Sequence, residues 1–129
     1  MEKNSKIYVA GHRGMVGSAI VRELKRQGYG NLLLCTHEEL DLCRQNEVEH
    51  FFEREKPEYV FLAAAKVGGI AANQDALADF MYENMLLEMN VIHSAWRNGC
   101  KKLEFLGSSC IYPRMAPKPM KESVLLTSE

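Results

Sequence analysis

The residues best able to do chemistry fall in two short strings. Gly11-His12-Arg13-Gly14-Met15-Val16-Gly17 spaces three glycines evenly between the β-prone run Lys6-Ile7-Tyr8-Val9-Ala10 and an apolar helical pattern. In that setting the first glycine permits a tight turn, the second lets a pyrophosphate approach the backbone, and the third lets helix and strand pack closely. The helix start adds positive partial charge for the anion. Glycines that only make a turn are the competing reading. In the second string, Leu106-Gly107-Ser108-Ser109-Cys110, a hydroxyl and a thiol follow the carboxyl end of a predicted strand, the edge at which open α/β sheets take their ligands. A strand-ending turn hydroxyl and a small buried hydrophobe are the plain alternatives for Ser108 and Cys110.

Arg13, inside the glycine turn, can pair with a 2′-phosphate, because guanidinium is permanently charged and offers two parallel hydrogen bonds. NAD enzymes instead place an acid at the end of the second strand to hold the ribose hydroxyls. Here that strand ends at Thr36-His37, and Glu38 and Glu39 come after. The expected coenzyme is therefore NADP rather than NAD, with His37 as a candidate second contact and His12 facing either the phosphates or solvent. For Arg13 and His37 a solvated surface role is the alternative.

The elements that must position these groups follow from periodicity. Strands are expected at Lys6–Ala10, Leu32–Cys35, Tyr59–Ala63 and Lys102–Leu106, and helices over about Val16–Gln27, Arg44–Lys56 and Asp75–Asn98. The third strand is apolar throughout, as a strand buried on both faces of a parallel sheet must be. Strict alternation of strand and helix implies parallel strands and right-handed crossovers. The expectation is an α/β fold with a Rossmann-type parallel sheet, helices on both faces and strand order 3-2-1-4. Residues 1–129 are expected to form a single NADP-binding Rossmann unit, with the stretch from Pro113 to Pro119 as irregular loop.

Composition narrows the function classes. With 129 residues, 47% hydrophobic and 26% charged, the chain suits a single globular core. Sixteen basic and seventeen acidic residues give a formal charge of −1, so no broad positive field points to nucleic acid or an anionic membrane. The longest wholly apolar run, Val60 to Ala65, is far short of the roughly 20 residues that span a bilayer. With no signal-like apolar stretch at the N-terminus, the expected location is cytoplasmic. Cys35, Cys43, Cys100 and Cys110 show neither a C-x-x-C pair nor zinc-ligand spacing, and are expected to be reduced thiols. His50 and His93 lack a ligand partner at helical spacing, so no metal site is expected.

Three longer strings carry a resemblance: Ala10 to Ile20, Leu62 to Ile70, and Phe105 to Pro113. In order and spacing they resemble the GDP-L-fucose synthase family of extended short-chain dehydrogenase/reductases, over essentially the whole chain from Lys6. The resemblance implies NADPH-dependent epimerisation at C3 and C5, then reduction at C4, of GDP-4-keto-6-deoxy-D-mannose to GDP-L-fucose. It implies that Gly11 to Gly17 hold the pyrophosphate, Arg13 the 2′-phosphate, Asp41 and Leu42 the adenine, and that Ala63, Ala64, Ala65, Leu106 and Gly107 border the coenzyme. Ser108 resembles the serine that hydrogen-bonds the reacting carbonyl, and Cys110 the thiol that moves protons during epimerisation. Where His37 stands the family often has arginine. The family's Tyr-x-x-x-Lys pair, its histidine acid/base and its GDP-sugar domain are expected beyond Glu129, and without them the chain alone is expected to show no turnover.

Two other functions stay open: a noncatalytic dinucleotide sensor, and another nucleotide-sugar epimerase of the extended group. The long third helix carries two apolar stripes, one of Met81, Met85, Met89, Ile92 and Trp96 and one of Phe80, Leu87, Val91 and Ala95. At 100° per residue these lie roughly 120° apart, more than one sheet-facing side requires. The expectation is a homodimer through Asp75 to Asn98, as the resemblance also implies, with burial inside the same chain as the alternative.

Overall fold

The structure is a computed structural model that describes residues 1–66, 76–108 and 111–127. Among these, the chain runs β1 (Ile7–Ala10), α1 (Met15–Arg26), β2 (Leu32–Leu33), α2 (Gln45–Glu55), β3 (Tyr59–Leu62), α3 (Leu77–Arg97), β4 (Lys102–Phe105) and a short 3₁₀ turn, Glu122–Val124. All paired strands are parallel: Ile7 stands beside Leu32 on one side and Tyr59 on the other, and Tyr59 beside Lys102. The start of the third helix expected at Asp75 lies outside the described residues. Gly28, at φ +85°, follows α1, and α2 ends on Lys56 in the left-handed region immediately before Pro57. Each supplies the chain reversal that a helix end needs.

The sheet order is β2-β1-β3-β4, which corrects the expected 3-2-1-4. Among the described residues no strand pairs with the outer edge of β2; residues 36–44 instead turn along the carboxyl edge, and the chain then crosses β1 to lay β3 on its far side. Right-handed crossovers running in opposite directions must put their helices on opposite faces. Accordingly α1 covers the face of Ile7 and Val9 through Ile20, Val21 and Leu24. α2 and α3 share the face of Tyr8 and Ala10, where Val48, Phe51, Phe52, Leu87, Val91 and Ala95 pack. β1, flanked on both edges and covered on both faces, is wholly buried.

A crossover helix has to cover the strand it skips, and α2 does so with aromatic rings. Phe51 and Phe52 sit 4.8 and 5.9 Å from the Tyr8 ring, and their own centroids are 5.6 Å apart at 82°, the edge-to-face geometry that aromatic quadrupoles favour. Phe52→Ala is expected to cost about 3–5 kcal/mol, the usual loss for an aromatic deleted from a packed core. Urea unfolding of the variant beside the parent checks this, a change below about 1 kcal/mol being incompatible with that packing.

Candidate functional site

Every strand of a parallel sheet ends at the same edge, so the segments after β1, β2 and β3 gather there. They enclose a cleft of about 410 Å³, lined by Gly11, His12, Arg13 and Gly14, by residues from Cys35 to Cys43 except Glu39, by Ala64, Ala65 and Lys66, and by Glu83 and Leu87 of α3. The volume falls within the range of small-molecule sites.

The glycine turn is built on backbone contacts that admit no side chain. Gly11 stands at φ +79°, and a Cβ there would meet the Ala64 amide nitrogen at 2.7 Å and the Ala63 carbonyl at 2.8 Å. A Cβ on Gly17 would lie 2.1 Å from the Gly11 carbonyl oxygen. The Gly14 amide donates to that same oxygen at 3.0 Å. Gly14 caps α1 without a side-chain hydrogen bond, and the first turn carries no acid. The amides of Met15, Val16 and Gly17, which no helical acceptor can reach, therefore keep their positive partial charge. Such a cradle fits a pyrophosphate, whose oxygens need close backbone approach and N–H donors.

The rim beyond β2 is held by an arrangement that motif reading passed over. The Thr36 amide donates to Glu39 Oε2 at 2.7 Å, and the Glu39 amide to Thr36 Oγ1 at 3.3 Å. This is the reciprocal pairing of Ser/Thr-x-x-Glu boxes, a signal present in the sequence as Thr36-His37-Glu38-Glu39. These Thr36 contacts, and the fields of Arg13 and His12, hold the Glu39 carboxyl below its ordinary range. His37 Nδ1 lies 3.9 Å from Asp41 Oδ1, and the same oxygen accepts the Cys43 amide at 3.0 Å.

Asparagines of α3 tie down two of the cleft's loops. Asn84 accepts the Lys66 amide at 2.7 Å and donates to the Lys66 carbonyl at 3.0 Å, while Lys66 Nζ meets Glu83 Oε1 at 2.6 Å. Buried Asn90 donates to the Leu42 carbonyl at 2.9 Å. No local motif announces these pairs, because each joins residues far apart in the chain.

Of the expected coenzyme residues, Gly11, His12, Arg13, Gly14, His37, Asp41, Leu42, Ala64 and Ala65 line the cleft. Gly17 is buried beneath it and Ala63 contributes backbone, whereas Met15 is 87% exposed and Val16 45%. Leu106, Gly107 and Ser108 lie exposed beyond β4, outside the cleft lining, and Cys110 falls outside the described residues. No group of acidic, histidine or cysteine side chains among the described residues could hold a metal. No helix among them is long and apolar enough to cross a membrane.

A parallel sheet with helices on both faces, and a glycine turn closed against a neighbouring strand end, defines a Rossmann-type α/β protein. The chain belongs to the NAD dependent epimerase/dehydratase family, whose sequence profile matches residues 7–129. It is 64% identical over 127 residues to GDP-L-fucose synthase 1 of Arabidopsis thaliana, covering 98% of this chain and 39% of that one. It is 54% identical over 121 residues to GDP-L-fucose synthase of Escherichia coli, covering 94% and 38%. A solved structure described as a GDP-mannoheptose C4 reductase from Campylobacter jejuni with NADP bound superimposes with a TM-score of 0.94 at 50% identity, over 100% of this chain and 41% of that one. The chain thus spans about two-fifths of the curated relatives it matches.

Burial raises the thiols of Cys35, Cys43 and Cys100, and nearby carboxylates add to the effect at the first two. Since the thiolate is the nucleophile, a raised pKa means less of it at a given pH. Alkylation of these cysteines by iodoacetamide is expected to be slower than that of a free thiol, and to keep accelerating above about pH 9.5, where a free thiol is already about nine-tenths ionised. Peptide mass spectrometry over a pH series checks this; a rate already level at that pH would contradict it.

Proposed function

We propose that this chain is the coenzyme-binding part of an NADP-dependent nucleotide-sugar epimerase/reductase that converts GDP-4-keto-6-deoxy-D-mannose to GDP-L-fucose. The observation that carries the reading is the cradle at Gly11, Gly14 and Gly17, where the turn into α1 lines a cleft and no Cβ fits at the first or third glycine. The two synthases and the NADP-bound reductase described above support it. In this reading the cradle, with the amides of Met15 and Val16, binds the pyrophosphate, and Arg13 with His37 binds the 2′-phosphate. His12 flanks the phosphates, Asp41 and Leu42 meet the adenine, and Ala63, Ala64, Ala65, Leu106 and Gly107 border the rest. When bound, the coenzyme supplies hydride for the C4 ketone.

The chain's own part in the sugar chemistry is proton handling and charge stabilisation. Removing a proton beside the ketone builds negative charge on its oxygen, and the Ser108 hydroxyl donates a hydrogen bond there. Epimerisation needs one group that removes the proton from the sugar carbon and a second that returns one to the opposite face, and the Cys110 thiol is one of these two proton-transfer groups. In the intact protein, Ser108→Ala is expected to slow epimerisation and reduction together, by about 10²- to 10³-fold, the usual loss for one oxyanion donor. Cys110→Ala is expected to abolish solvent deuterium incorporation at C3 or C5 of the 4-keto sugar, read by NMR in D₂O. Parental exchange in that variant would overturn the proton-transfer role, and a different 4-keto sugar turned over in preference would overturn the substrate.

The reading includes a homodimer formed through α3. Leu87, Val91 and Ala95 face the sheet, while Met81, Met89 and Trp96 are 65%, 53% and 75% exposed, and Met85 and Ile92 share that open face. Two such faces packed together bury the apolar stripe in the manner of a four-helix bundle. The intact protein is expected to sediment as a dimer at micromolar concentration and Met85→Lys as a monomer; a monomeric parent would refute the interface.

A further inference from the structure

The turn beyond β2 carries more information than its two acids suggest. Leu40, 6% exposed, anchors the turn in the core, and its amide donates to the Thr36 carbonyl at 2.9 Å. The Glu39 amide also reaches that carbonyl, at 3.1 Å. Between these anchors, Thr36, His37 and Glu38 line the cleft on the rim opposite the glycine turn, and Glu39 does not. Its carboxylate is directed back onto the Thr36 amide at 2.7 Å.

That direction bears on coenzyme choice. An acid at the end of the second strand is the group that holds a ribose diol, and a carboxylate free to face the cleft repels a phosphate placed on that diol. Glu39 is near enough to feel Arg13 and His12, yet its carboxylate is turned onto a backbone donor and stays out of the cleft lining. The same hydrogen bond closes the turn that bears His37, so the imidazole is presented from a fixed backbone rather than ordered at the moment of binding. Preorganisation of this kind lowers the entropic cost of binding.

We propose that Glu39 is a positioning residue for coenzyme selection: by capping the Thr36 amide it sets His37 on the cleft that Arg13 also lines, and withholds its own charge from the space a 2′-phosphate requires. The proposal rests on the NADP reading above. Glu38, which does line the cleft, is the acid that opposes the phosphate, and Arg13 is the cation that offsets it, with the His37 and His12 imidazoles beside it as hydrogen-bonding groups.

The test is titration of the intact protein with NADPH and with NADH, followed by nicotinamide fluorescence, for the parent, Arg13→Ala, Glu38→Gln, Glu39→Ala and Glu39→Gln. The parent is expected to bind NADPH more tightly, with Arg13→Ala eroding the difference. Glu39→Ala is expected to weaken NADPH about ten-fold, equivalent to about 1.4 kcal/mol, and NADH less than about two-fold. Glu39→Gln, whose amide oxygen still accepts from Thr36, is expected to stay within about three-fold of the parent for both. Glu38→Gln is expected to hold or strengthen NADPH binding. Parallel losses of both coenzymes in Glu39→Ala would make the residue merely structural and overturn the proposal, as would unchanged binding, or a glutamine variant as weak as the alanine. A parent that binds both coenzymes equally, with Arg13→Ala silent, would instead overturn the NADP reading itself.

Discussion

The whole arrangement hangs on the approach of one backbone to another at Gly11. Its carbonyl oxygen lies where a Cβ on Gly17 would stand, 2.1 Å away, and its own α-carbon presses on the Ala63–Ala64 peptide. Only hydrogen atoms fit in these gaps. Because they do, α1 starts directly beneath the end of β1, the turn before it lines the cleft, and the loop after β3 lines it from the neighbouring strand. A methyl group at either glycine would push helix from strand or strand end from turn, and the anion cradle would be lost with the packing.

Topology then decides which segments meet at that cradle. With β1 in the interior of the sheet, the loops following β1 and β3 are neighbours and the turn following β2 flanks them, so one cleft collects parts of the chain more than fifty residues apart in sequence. The reversal of direction between β1→β2 and β2→β3 also sends α1 to one face and α2 with α3 to the other. That leaves α3 free to reach the cleft with its amino-terminal half, through Glu83, Asn84 and Leu87, while its carboxyl-terminal half covers β3. Helix and loops are consequently tied together: Asn84 satisfies both backbone groups of Lys66, and Asn90 the carbonyl of Leu42, as a neighbouring strand would.

Much of this was legible because local patterns carry it. Strand, glycine turn and helix at residues 6–27 follow from propensity and spacing alone, and both ends of the first two helices and the carboxyl end of the third were located to within about one residue, inside the usual spread of boundary definitions. Strand order was not legible. Whether β3 lies outside β2 or across β1 depends on what residues 36–44 do, and an acid-rich stretch anchored in the core mainly by Leu40 resembles an ordinary loop until its turn is seen. The clasp between Thr36 and Glu39 was visible as a spacing but attracts notice mainly before a helix, and none follows it directly. The asparagines of α3 were beyond reach for a different reason: an amide on a helix reveals its partner only once the fold has brought the partner to it.

The division of labour between the two rims of the cleft has an evolutionary consequence. On the glycine rim, geometry and recognition are the same atoms, so drift there is lethal to the fold and to binding at once. On the opposite rim the backbone is secured by Leu40 beneath and by the Thr36–Glu39 clasp, while His37, at 82% side-chain exposure, contributes little to the core. Replacing it alters a polar group on the cleft lining at almost no cost in stability. Single substitutions on that rim can therefore change the lining of the cleft, each variant remaining folded, while the glycines stay where they are.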